Sequence, residues 1–246
     1  MKKKYSSISL VLIFVSLSLV IYIIQIFIYR RISDTGFYFL QDMAFLPLQV
    51  AIVTVIISKF LSIREKKART KNMNMAINAF FAEVGTELIK YLNKFIVISE
   101  NIQIELNINA KWTTRDYLKA IKTIKGYDFP IDSRSSDLTE LKEILSYKRN
   151  FLLIMLENSN LLEHDTFTDM LWAIFHLTDE LTERKSFEAL PEPDLLHLTI
   201  DMKRAYVALT IEWVNYCSRL KIDYPYLFSM EIRKNPFDEN RSIIIK

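Results

Sequence analysis

Two stretches near the N-terminus are apolar at nearly every position, so neither a helical nor a strand period can be read from them. From Tyr5 to Tyr29 there is no Asp, Glu, Lys or Arg, and the run SLVLIFVSLSLVIYIIQIFIY is apolar around the full helix circumference. These 25 uncharged residues, at 1.5 Å rise each, exceed a hydrocarbon core of roughly 30 Å. The pattern predicts a membrane span over about 7–29. A cleaved signal peptide would also begin with charges such as Lys2, Lys3 and Lys4. Its apolar region is shorter, however, and ends in small residues, whereas this run ends in Arg30 and Arg31.

The second stretch, FYFLQDMAFLPLQVAIVTVIISKF, is uncharged from Met43 to Ser58. It predicts a second span over 41–63, with Pro47 in its first turns, Lys59 snorkelling toward an interface, and Asp42 at the span's mouth. A carboxylate there lies near the headgroups and complements the helix dipole. About a dozen residues are left to connect the spans.

Beyond this hairpin the apolar spacing turns regular. Ile77, Phe81, Val84, Leu88, Tyr91, Phe95, Ile98 and Ile102 alternate by four and three, the seam of a coiled coil or of a bundle interior. No Pro or Gly interrupts Gln49–Glu83, so the second span is expected to run on into this helix. Further helices follow from capping signals. Thr113 or Thr114 opens one ending near Gly126. Asp137 with Glu140 opens Leu138–Glu157. Asp165 or Thr166 opens one to about Arg184, and Asp194 caps Leu195–Leu220. Pro225 and Pro236 make 223–246 read as an irregular tail. The expected fold class is all-α: an N-terminal transmembrane hairpin (1–63), a basic juxtamembrane segment (64–72) and a cytoplasmic helical bundle (73–222).

Charge sets the orientation. Arg64, Lys66, Lys67, Arg69 and Lys71 face Glu65 alone, and the N-terminus carries three lysines. By the positive-inside rule both termini are cytoplasmic, in a multi-pass protein of the cell membrane whose basic segment touches the bilayer surface. The rest of the chain, from Met73, carries a net charge of −5, which argues against nucleic acid as a partner. With three glycines and no P-loop, G-x-G-x-x-G or G-x-S-x-G, phosphate cradles and nucleophile elbows are excluded. The single Cys217 forms no internal disulfide or CxxC site and reads as a buried thiol. Trp112, Trp172 and Trp213 are spaced like core anchors.

One constellation carries chemistry. All three histidines fall within 163–201; His176 and Glu180 lie one helical turn apart, as do His197 and Asp201. Carboxylate–histidine pairs on facing helices are how bundles assemble metal sites, to which Glu83 and Glu87 could add carboxylates. Neither E-x-x-H nor H-E-x-x-H is present, so no particular cofactor is required by the sequence.

FYFLQDMAFLPLQV, HDTFTDMLWAIFHL and DYPYLFSMEIRKNPFD together resemble uncharacterised prokaryotic two-span membrane proteins of unknown function. The resemblance implies the two-span layout and brings no activity or catalytic residues. The leading expectation is a membrane-anchored interaction or signalling module acting through a protein partner or as a homo-oligomer along the Ile77–Ile102 seam. The alternatives are a membrane-bound metal-dependent enzyme using His176, Glu180, His197 and Asp201, and a small oligomeric channel lined by the second span.

Overall fold

The computed structural model of the chain describes residues 16, 19–21, 23–28, 32–97, 99–162, 164–238 and 241–244. Among the described residues the fold is all-α, with β pairing limited to a bridge between Ile96 and Ile131. The chain divides into two units, Met1–Lys66 and Lys67–Lys246.

In the first unit, Leu19–Ile21 and Ile23–Ile28 are helical; apart from these and Ser16, the expected first span lies outside the described residues. Helix α1, Ile32–Phe80, begins well ahead of Gln41, so most of the expected connection is helical. Asp34 in its first turn complements the dipole, and the lone Gly36 costs only about 1 kcal/mol, too little to stop a helix. Pro47 consequently sits inside α1 rather than in its first turns. An 18-residue window of this helix reaches a mean hydropathy of 2.0 with none of it buried; among the described residues it is the helix long and apolar enough to cross a membrane. Phe37, Leu40, Val55 and Ile56 are all exposed on it.

In the second unit, α1 ends at Phe80 and a π turn, Phe81–Gly85, leads into α2, Thr86–Leu92. Phe80 meets Phe167 edge-on while Phe81 stacks on Tyr216. Gly85 lies directly against both Phe80 and Phe81, where a side chain would not fit. A 3-10 turn, Asn93–Phe95, then ends this helical run. The expected seam is therefore divided. Ile77, Phe81, Val84, Leu88, Phe95 and Ile102 are buried and Tyr91 is half-buried, but Ile102 belongs to the separate helix α3, Glu100–Leu106, and Ile98 lies outside the described residues. The four-three spacing marks the domain's own core, so these side chains are not free to receive a partner.

Helix α4, Thr114–Gly126, starts with a reciprocal capping box in which the Thr113 N–H donates to Asp116 Oδ2 at 2.6 Å. Helix α5, Leu138–Leu156, is capped by Asp137, whose Oδ1 accepts from the N–H groups of Thr139 and Glu140. The Glu140 side chain pairs with Lys94 instead of closing the box. Helix α6, Asp165–Glu183, is capped by His164, whose Nδ1 accepts from the Phe167 N–H at 3.2 Å, a role expected of Asp165 or Thr166.

Helix α7, Glu192–Asp223, is the centre of the domain and packs against α2, α4, α6 and α8. Leu198, Met202, Tyr206, Leu209, Trp213 and Leu220 are buried along it, each worth about 1.5–3 kcal/mol for the large aliphatic side chains. It starts three residues before the expected Leu195, because Pro191 and Pro193 suit a helix entrance that needs no N–H donors. Part of the expected irregular tail is helical: α8, Pro225–Arg233, begins on Pro225 for the same reason, and the described residues after it are turns and coil. Its buried Glu231 accepts from the Thr86 hydroxyl at 2.6 Å and the Trp213 indole N–H at 3.3 Å, fixing α8 to α2 and α7. Cys217 is buried, and desolvation pushes its thiol well above the ordinary range, as befits an inert group.

Candidate metal centre

Helices α6 and α7 are joined by residues 184–191 and run antiparallel, so that side chains one turn apart on each meet in reversed order. His176 lies opposite Asp201, and Glu180 opposite His197. One ligand atom from each of these four residues falls within 4.8 Å of all the others. The four residues expected from spacing alone are thus brought together on one helical hairpin.

The distances suit an ion. His176 Nε2 is 3.4 Å and His197 Nε2 3.2 Å from Asp201 Oδ2. His197 Nε2 is 3.7 Å from Glu180 Oε2, and His176 Nε2 is 3.9 Å from Glu180 Oε1. Ligand atoms about 2.0–2.1 Å from a tetrahedral ion stand about 3.3 Å from one another, and small side-chain rotations close the remaining gap.

The site has a buried floor and an open mouth. Asp201 is only 2% exposed, whereas His176 and His197 are 47% and 50% exposed and Glu180 26%. Arg204 Nη1 donates to Asp201 Oδ1 at 2.8 Å. Among the described residues Asp201 Oδ2 makes no hydrogen bond; the two imidazole Nε2 atoms stand 3.4 and 3.2 Å from it. A buried carboxylate oxygen left without a donor is costly and calls for a cation.

Arg184 orders the other carboxylate. It donates to Glu180 Oε2 at 2.7 Å and to both oxygens of Asp194 at 2.6 and 2.9 Å. Hydrogen bonding to Arg184 holds the Glu180 carboxyl below its ordinary range, with smaller contributions from the charge of Arg184 and from the two histidines; the same guanidinium depresses Asp194. Asp194 is therefore the far end of an arginine clasp rather than a helix cap. Asp201 Oδ2 faces both imidazoles and Glu180 Oε1 faces His176, while Oε2, held by Arg184, lies nearest His197; the partners behind the carboxylates fix their orientation, as outer groups do in metal sites.

Other expected residues lie elsewhere. Glu83 pairs with Lys148 at 2.6 Å, and Glu87 is not among the grouped ligands. Trp213 is buried and Trp112 half-buried, but Trp172 is exposed, one turn before His176 on the same face of α6. Arg184 and Arg204 were not singled out from the sequence. Their signal is Glu180–Arg184 at four residues and Asp201–Arg204 at three, spacings usually dismissed as surface ion pairs.

Comparison with known proteins places the chain. Residues 69–233 match the family described as "Uncharacterized protein MJ1433, C-terminal helical domain", and residues 2–61 match "MJ1433, N-terminal helical domain". The chain is 43% identical over 230 residues to Uncharacterized protein MJ1433 of Methanocaldococcus jannaschii, covering 94% of this chain and 92% of that one. No solved structure matches. The chain belongs to the MJ1433 family of helical proteins.

Proposed function

We propose that this protein is a membrane-tethered helical module that binds one divalent first-row transition ion between α6 and α7, through His176, Glu180, His197 and Asp201. The observation that carries the reading is Asp201 Oδ2, buried and without a donor, between two imidazole nitrogens and a second carboxylate. Two nitrogen and two oxygen ligands suit zinc, iron, manganese or cobalt; calcium and magnesium prefer all-oxygen shells, and no thiolate is offered for a softer ion. The ion would tie two helices of the domain together and keep solvent-side positions open.

The tether is supported by the uncharged Tyr5–Tyr29 stretch, the exposed apolar surface of α1, and the basic run from Arg64 to Lys71. In this reading the bilayer is the partner of both spans and of the basic segment, and both termini face the cytoplasm. An interaction module working through the Ile77–Ile102 seam loses its support, because its described residues lie in the core or, for Tyr91, pack against it.

The test uses the full-length protein in detergent, stripped with chelator and titrated with Zn²⁺ by calorimetry, with bound metal counted by mass spectrometry. One equivalent is expected, and none for the double variant His176→Ala/His197→Ala. Equal uptake by both proteins, or no saturable uptake by the wild type, overturns the reading.

A further inference from the structure

We infer that the ion held by His176, Glu180, His197 and Asp201 keeps an exchangeable position on its solvent side that takes a phosphate-type oxyanion, with Arg204 as the second anchor. This rests on the metal reading above and adds what the metal is for.

Access comes first. Both imidazoles are about half exposed while Asp201 is buried, so the protein covers the ion from the Asp201 side and leaves the histidine side to solvent. Four protein ligands do not fill the shell of an iron, manganese or cobalt ion, and zinc expands to five.

Charge comes second. A divalent ion cancels Glu180 and Asp201, and Asp194 cancels Arg184 through its two hydrogen bonds. Asp179 is paired with Arg149, and Lys203 with Asp128, away from the site. Glu183, at the end of α6, is not part of the ligand group. Arg204 is left over, so the metal-loaded centre and the groups bonded to it carry one net positive charge. A hydrated site of that sign attracts anions rather than a second metal or a cationic ligand.

Geometry comes third. Asp201 bridges the two positive groups: Oδ1 accepts from Arg204 Nη1, and Oδ2 faces the imidazoles. The guanidinium thus stands one carboxylate away from the ion's position. Arg204 is 57% exposed, and its Nε and Nη2 donors make no bond among the described residues. An oxyanion with one oxygen on the ion can accept from those donors with a second, the forked recognition in which arginine suits phosphate.

The experiment loads chelator-stripped, full-length protein in detergent with Co²⁺, whose visible absorption reports its coordination, and titrates inorganic phosphate and glycerol 3-phosphate separately. The wild-type spectrum is expected to change saturably. A response to both assigns the position to phosphate monoesters as well as the free ion; a response to inorganic phosphate alone assigns it to the free ion. Arg204→Met, first saturated with Co²⁺ to offset any weaker metal binding, should need at least about tenfold more phosphate than the saturated wild type for the same spectral change. Arg204→Lys, which keeps the charge without the fork, should fall between. A Co²⁺ spectrum indifferent to about 10 mM phosphate, or an Arg204→Met titration matching the wild type, overturns this inference and leaves the metal site standing. Absence of any Co²⁺ spectrum that depends on His176 and His197 removes both.

Discussion

Replacing Asp201 by Asn keeps the side chain's shape and its acceptor for Arg204, and removes one negative charge from the floor of the α6–α7 site. In the metal-free protein the carboxylate has one oxygen bonded to Arg204 and one without a donor. An unsatisfied buried oxygen costs about 1–3 kcal/mol. Against that, the bond from the half-exposed Arg204 weakens, which costs roughly 0.5–1 kcal/mol after solvent screening. The amide's N–H groups, placed where Oδ2 was, can donate to a neutral imidazole nitrogen about as far away as the present 3.2 and 3.4 Å. The metal-free variant should therefore range from unchanged to about 2 kcal/mol more stable, a melting temperature up to roughly 4–8 °C higher for a domain of this size. With Zn²⁺ present the sign reverses. The wild type gains about 2.7 kcal/mol at a hundredfold excess of metal over Kd, or roughly 5–10 °C, while the variant gains little. The assay is thermal unfolding of both full-length proteins in detergent, with chelator and then with metal. If Asp201→Asn lowers metal-free stability by about 3 kcal/mol or more, the carboxylate is the anchor of a buried ion pair and the ligand argument fails. An unchanged metal-induced gain in the variant refutes it equally.

Two further substitutions probe the surrounding structure. Arg184→Met should cost about 1–2 kcal/mol near neutral pH, since it leaves Asp194 and Glu180 without their donor. Asp194 is held below its ordinary value of 3.8 by that arginine, so its contribution is present above that value and is lost as pH falls through the lower folded value. Urea titrations should accordingly show a gap between wild type and variant at pH 7 that narrows as pH falls below 3.8; a gap that does not narrow on acidification contradicts the assignment. At Gly85, an added Cβ would lie 2.5 Å from Phe81 Cδ1 and 2.8 Å from Phe80 Cε1. Those rings are locked against Tyr216 and Phe167 and cannot swing aside. Gly85→Ala should destabilise by about 1–2 kcal/mol even after alanine's better helix propensity, seen as a melting temperature roughly 3–6 °C lower; an unchanged value would mean that the π turn has room to relax.

The pairs His176–Glu180 and His197–Asp201 were legible in the sequence because spacing of four within a helix places two side chains on one face whatever the rest of the fold does. That His176 would meet Asp201 was not legible. It depends on how residues 184–191 bring α7 back along α6, and so on the entrance of α7 at Glu192 rather than at Leu195. The α4 and α5 entrances followed from Thr113 and Asp137, since capping is local. The seam from Ile77 was visible as a pattern, but a helix lining its own core and one lining a partner use the same spacing. Only the buried neighbours, such as Phe167 and Tyr216 around Phe80 and Phe81, decide between them. The tail misled because Pro225 reads as a breaker, while the position it occupies is the first turn of α8, where proline is at home.

The compactness of the α6–α7 hairpin along the chain has a kinetic consequence. His176 and Asp201, the outermost of the four candidate ligands, are separated by 25 positions, and the Arg184–Asp194 clasp closes inside that interval. Loop-closure entropy grows only slowly with length, so this hairpin is among the least costly long-range associations available to the chain. On a ribosome adding about 5–20 residues per second, the whole ligand set is made before α8 and the last turns of α7 exist. The hairpin can close, and an ion can enter it, while the domain is still being synthesised, so that α4, α2 and α8 later assemble around a helix pair already in register.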